Sequence, residues 1–226
     1  TLLHKHRHQS IYFDYTSLLT KGEEWLPARA VLDRLDATNG DFTLIAAPDG
    51  TDQQALISQI GHSNNSTVAR LKLLAPQAHL SNILMDELVA EALRRLGDRG
   101  VHNLIAEVNE DSDEFELLKV AGFHIYVRQR IWKTSQRVER KEETIWREYI
   151  DQDEFAVRTL YNMLAPGLVR QVEPTFAEKL SGWVITQKGI LMAFMNVVKG
   201  SKGIWIQPFI HPQAEGMTEN ISDLLS

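Results

Sequence analysis

The 226 residues carry 24 Lys+Arg against 30 Asp+Glu, for a formal net charge of −6. That balance argues against nucleic acid as a partner, since neutralising phosphate needs clustered cations. With no cysteine the chain excludes disulfides, a thiol nucleophile and zinc–thiolate sites and fits a reducing, cytoplasmic setting; no apolar run reaches the roughly 18–20 residues that span a bilayer, and no charged-then-apolar leader opens it.

The pattern reads as helix, three strands, helix, strand, helix, strand. Thr20 with Glu23 forms a capping-box signal, and Leu26, Ala30, Val31 and Leu35 follow at helical spacing. Residues 41–47, 54–62 and 67–75 read as strands, the last marked by Val68, Leu71 and Leu73, separated by the turn signals Pro48-Asp49-Gly50 and Asn64-Asn65-Ser66. Turns this short imply an antiparallel meander. Ser81 caps a strong helix with Ile83, Leu84, Leu88, Ala92 and Leu96 on its apolar face, stopped by Gly97 and Gly100. Residues 103–108 read as a short strand. Asp111 with Glu114 opens another helix that ends at Gly122, and residues 123–132 read as a closing strand.

Residues 133–144 (KTSQRVERKEET) hold seven charged residues in twelve and divide the chain. A mixed-sign run of this kind reads as a solvated linker. The expected domains are therefore 1–134 and 145–226. In the second, residues 145–150 read as a strand, Asp151 and Glu154 open a helix to Leu164, and Thr175 with Glu178 caps a shorter one. Strands at 182–187, 190–198 and 203–211 follow, with a helix beginning near Thr218. Each domain thus presents a helix, a three-strand meander, the tripeptide Pro-Gln-Ala and a helix. The tripeptide stands at Pro76-Gln77-Ala78 and again at Pro212-Gln213-Ala214. The expectation is an internal duplication, α+β in class, whose second copy lacks the counterpart of residues 103–132.

The helix NILMDELVAEALRRLG, the strand NLIAEV and the close DEFELLKVAGFHIY, with Gly122-Phe123, resemble the GNAT superfamily of acyl-CoA-dependent N-acyltransferases. The resemblance implies two tandem GNAT-like mixed sheets flanked by helices, with acetyl-CoA or another acyl-CoA as co-substrate. It implies a small-molecule or protein amine as acceptor, and a homodimer is a further expected assembly. In that family the acyl-pantetheine lies between two splaying parallel strands, and its pyrophosphate sits at a helix N-terminus, where free N–H groups and the dipole favour an anion. Carried onto this chain, the cofactor-binding residues would be Leu74, Ala75, Gln77, Ala78, His79, Leu80 and Ser81 in the first copy. In the second they would be Ile210, Gln213, Ala214 and Gly216.

The sequence departs from the family pattern. The first cradle (APQAHLSN) has no glycine and no Lys or Arg, and the second carries Glu215 and Glu219. The position of the family's acidic tyrosine falls on Leu118, and its usual Asn and Ala fall on Asp111 and Glu114. These changes leave a second reading beside the transferase, that of a catalytically silent GNAT-like binding or scaffolding protein. Glu107 on the short strand and His211 at a strand end are the catalytic-base candidates; a salt-bridged carboxylate and a structural histidine are the plainer alternatives. His4, His6 and His8 alternate as metal ligands would on a strand, but no carboxylate or cysteine joins them at ligand spacing, which favours a solvated terminus. Trp183, Met192, Phe194, Met195, Trp205 and Phe209 would line an apolar pocket or simply form a core.

Overall fold

A computed structural model describes residues 9–23, 40–48, 54–62, 66–135, 145–173 and 180–216. The protein is α+β. It divides into two units: Thr1–Ile125 with Gly200–Gly203, and Tyr126–Lys199 with Ile204–Ser226. The expected linker at 133–144 falls within the second span, and Tyr126 is tied there by its hydroxyl, which donates to Glu173 Oε1 at 2.5 Å.

In the first unit, β1 (Ile11–Tyr12), α1 (Tyr15–Lys21), β2 (Phe42–Ala46), β3 (Leu56–His62) and β4 (Val68–Ala75) precede α2 (Asn82–Gly97), β5 (Asn103–Ile105) and α3 (Asp113–Val120). The sheet order is β1-β4-β3-β2, with β5 also pairing β4. The meander β2–β3–β4 is antiparallel, as the short turns predict. Ala69 and Leu71 alternate toward α2 and, past the extra residue Lys72, Leu74 joins them; α2 meets them with Leu84, Met85, Leu88, Ala92 and Leu96. Ile83 is not among these and is 75% exposed. It stands five residues before Leu88, off the i, i+4 row, whereas Met85 keeps the spacing. Ser81 caps α2 as the sequence predicts, its Oγ accepting from Leu84 N. Gly61 leaves the path along which Lys72 reaches Asp41 Oδ2 at 2.6 Å; a Cβ there would lie 2.0 Å from Lys72 Cε.

Several expectations are corrected. Thr20 does not open a helix: it lies inside α1, and its hydroxyl donates to Thr16 O at 2.6 Å, while Asp14 is the cap that accepts from Ser17 N. The helix expected over 26–35 lies outside the described residues, as do His4, His6 and His8, the Thr175–Glu178 capping signal and the helix near Thr218. The cap of α3 is Ser112 rather than Asp111, because the Ser112 hydroxyl accepts from Phe115 N while Asp111 N donates back to Asn109 Oδ1. The strand expected over 103–108 stops at Ile105. The strand expected over 123–132 does not form; β5 offers only three residues of edge, and Trp132 is 87% exposed.

The second unit contains β6 (Arg147–Glu148), α4 (Glu154–Leu164), α5 (Gly167–Val172), β7 (Gly182–Gln187), β8 (Ile190–Lys199) and β9 (Ile204–Ile210). Its antiparallel sheet runs β6-β7-β8-β9. The strand expected over 145–150 is reduced to two residues. Asp153 ends the 3-10 turn before α4, accepts from Ile150 N, and holds Arg147 with both carboxylate oxygens. The short helix α5 behind Pro166 has no counterpart among the predicted elements. Gly182 is required at the start of β7: its φ is +142°, and a Cβ would stand 1.8 Å from Met195 O. Val157 and Leu160 of α4 pack on Val184, Leu191 and Phe194, while Ile185, Ala193 and Met195 form a separate cluster with Trp146 and Met192. Phe194 stacks on Phe209 with centroids 6.1 Å apart. Of the aromatic residues of this meander, Phe194 is core, Trp183 and Phe209 pack partly buried against the core clusters, and Trp205 is half-buried. Among the described residues, no helix is long and apolar enough to cross a membrane.

Candidate functional site

The described feature that gathers Leu74 and Glu107, two of the first-copy candidates, is a notch on the outer edge of β4. Parallel pairing with β5 covers only Val68–Arg70, opposite Asn103, Leu104 and Ile105. The two strands then part. The cause lies on the other side of β4, where the ladder to β3 jumps: Ile60 pairs with Leu71 and Gln59 with Leu73, leaving Lys72 as an extra residue. A bulge of this kind bends its strand and raises the local twist, turning the second half of β4 away from a straight neighbour.

The chain's own N-terminal segment fills the resulting notch. Ile11 and Tyr12 lie antiparallel to Leu74 and Leu73. Phe13 N donates to the carbonyl of the bulged Lys72 at 2.9 Å, and Phe13 O accepts from Glu107 N at 3.1 Å. One short segment therefore bridges both walls. It also explains why β5 ends early, since beyond Ile105 the backbone turns its hydrogen bonds to Phe13 instead of β4.

Glu107, a candidate base, stands on the far wall. Its Oε2 accepts from Tyr15 N, the first residue of α1, at 2.7 Å, and its Oε1 lies 3.8 Å from Arg70 NH1. The carboxylate thus serves a helix N-terminus, where a negative charge is favoured by the free N–H groups and the dipole. Burial raises the Tyr15 phenol above its ordinary value despite a hydrogen bond with the Asn109 backbone; the Glu107 and Glu114 carboxylates push it the same way as burial. Glu114 in turn accepts from Gln77 Nε2 at 3.0 Å. Arg70, Glu107 and the Tyr15 backbone so form one polar group, and Gln77 with Glu114 forms a second.

The remaining cradle residues have structural partners. Leu74 and Ala75 are buried at the end of β4. Gln77, Ala78 and His79 make a 3-10 turn, and His79 Nδ1 is 3.0 Å from Ala55 O. Leu80 packs against the main core of this unit. Ser81 caps α2 with its own hydroxyl. Leu118 is 3% exposed and belongs to the core, so the family's tyrosine position here faces apolar packing.

In the second unit, β9 continues into the other candidate stretch. Ile210 and Ala214 pack against the cluster of Trp146 and Met195, while Gln213 and Gly216 are exposed. His211 N donates to Met192 O, and its Nδ1 accepts from Gln213 N at 3.1 Å. The ring nitrogen that carries the lone pair is therefore engaged in a turn, and Nε2 carries the proton of the neutral ring. Glu107 and His211 belong to different units. Among the described residues, no group of three His, Asp or Glu could hold a metal ion.

Sequence reasoning missed Phe13, Tyr15 and Arg70. The signal present was the run Ser10-Ile11-Tyr12-Phe13 ahead of the cap Asp14; the charged and histidine-rich residues before it favoured a frayed terminus instead. Compared with protein-family models and with the curated proteins, the chain matches none.

Proposed function

We propose that the chain is a GNAT-type N-acyltransferase built from two GNAT-like units, which moves an acyl group, acetyl in the simplest case, from acyl-CoA to an amine. The observation that carries the reading is the notch. Parallel strands that pair over three residues and then part at a bulge leave β4 main-chain groups that Ile11 and Tyr12 pair here and that an extended, amide-bearing chain such as pantetheine would take in their place. The two antiparallel meanders, each followed by Pro-Gln-Ala, support the tandem.

In this reading Glu107 takes a proton from the acceptor amine, directly or through water, and the amine nitrogen then bonds to the thioester carbonyl carbon. Backbone N–H groups at the bulge polarise that carbonyl. The carbon–sulfur bond breaks, and the thiolate that leaves needs a proton. Leu118 has none to give; this reading assigns the step to the Tyr15 phenol, which burial raises above its ordinary value. Arg70 and the Tyr15 N–H hold the Glu107 carboxyl group in place.

The engaged state of Gln77, His79 and Ser81 favours the second reading, a silent first unit that binds or scaffolds. Thermal unfolding with acetyl-CoA separates the two. A ligand at about 100 times its Kd adds roughly 2.7 kcal/mol, so the transferase reading expects a clear rise in Tm together with release of free CoA when amines are supplied. No rise at millimolar acetyl-CoA would leave the scaffold reading.

A further inference from the structure

Resting on the acyl-CoA reading above, we infer that residues Ser10–Tyr12 are a built-in competitor for that ligand: they occupy the β4 edge at Leu73 and Leu74 and must peel away, hinging at Phe13, before the first unit binds acyl-CoA.

Three observations carry this. The first is position. β5 and β1 share one edge of β4, β5 taking Val68–Arg70 and β1 taking Leu73–Leu74, so β1 lies where the parallel partner has left. The second is chemistry. What β1 gives the edge is main-chain N–H and C=O, the groups that any extended amide-bearing chain supplies, so ligand and segment are exchangeable at equal hydrogen-bond count. The third is asymmetry of anchoring. β1 is two residues long, and Ile11 and Tyr12 are only partly buried, whereas β3 holds the opposite edge of β4 from Ile57 to His62. Phe13, by contrast, is 2% exposed in the core, and its backbone is held by Lys72 and Glu107. Segments with few buried apolar contacts open at lower free energy than a core ladder. The weak point is therefore residues 10–12, and the pivot is Phe13.

This arrangement lowers apparent affinity by the fraction of time the segment is away. It also protects the chain, since an unpaired β4 edge would be a template for pairing with another molecule. Glu107 stays anchored to Tyr15 while the segment peels, so the base is already in place when the edge opens.

The absence of native cysteine provides a clean lock. Phe13 N donates to Lys72 O across the antiparallel pair, so Tyr12 and Leu73 are the adjacent non-hydrogen-bonded pair, with the short Cα separation that suits a disulfide. In Tyr12→Cys/Leu73→Cys, acetyl-CoA binding by equilibrium dialysis is expected to be at least tenfold weaker in the oxidised than in the reduced protein. In Ile11→Pro, which removes a ladder donor, affinity should exceed wild type several-fold. Equal affinity in the oxidised and reduced forms, with Ile11→Pro like wild type, would overturn the gate while leaving acyl-CoA binding standing. Binding by neither the reduced pair nor Ile11→Pro would overturn the acyl-CoA reading, and the gate with it.

Discussion

β4 and β9 are each the third strand of an antiparallel meander, and each leads into Pro-Gln-Ala, yet their outer edges differ. β4 carries an extra residue, Lys72, against β3; its far edge receives β5 over three residues and then β1. β9 pairs with β8 in unbroken register from Ile204 to Ile210, and the extra residue of that sheet, Met192, lies one strand earlier, between β7 and β8. Among the described residues β9 pairs with β8 alone, and it carries Pro208, a residue with no N–H to offer and one that suits an edge. The lesson is that the meander supplies the strand, but the position of the bulge decides whether an edge opens into a notch. Moving one extra residue across one ladder separates the two cases.

The largest effect should come from the aromatic anchors on either side of the comparison. Phe13→Ala and Phe194→Ala each remove a fully buried ring and should each cost about 3–5 kcal/mol. Calorimetry should show Phe13→Ala lowering the transition of the first unit and Phe194→Ala that of the second. If Phe13→Ala left the first unit's transition unmoved, its role as the pivot would be lost.

A smaller effect distinguishes the charged groups of the two units. Asp153 is held below the ordinary carboxylate range chiefly by its hydrogen bond with Arg147. Its folded pKa is lower than its unfolded one, so the stability it contributes is present above the ordinary Asp value and is lost as pH falls through the folded value. Asp153→Asn should cost about 0.5–1 kcal/mol at neutral pH, since solvent screens this surface pair, and should flatten the acid limb of the second unit's stability profile. Denaturant titration between pH 7 and pH 3 checks this; an acid limb identical to wild type would remove Asp153 as its source.

Much of this arrangement was legible in residues with local rules. The apolar strand segments 182–187 and 190–198, the Ser81 cap and the four-residue spacing of Leu84, Leu88, Ala92 and Leu96 each fix an element through neighbours a few positions away, and the α+β class follows from their order. What was not legible depends on partners distant in sequence. Residues 123–132 read as a strand on their own apolar content, yet a strand needs a paired neighbour and, among the described residues, none is present there. That Ile11 and Tyr12 form a strand depends on an edge 60 residues away that a bulge leaves open. Glu107 was visible as a carboxylate opposite an apolar face; its partner Tyr15 was not, because a hydrogen bond spanning 92 positions leaves no periodic trace.

Amide hydrogen exchange on the unaltered protein, with and without acetyl-CoA, tests the central claim most directly, because it reads both sides of the exchange at once. The account predicts that saturating acetyl-CoA speeds exchange at Ile11 while Leu73 and Leu74 stay protected and the Phe13 amide, bonded to Lys72, changes little. Acetyl-CoA that binds yet leaves the Ile11 amide as protected as before would contradict it.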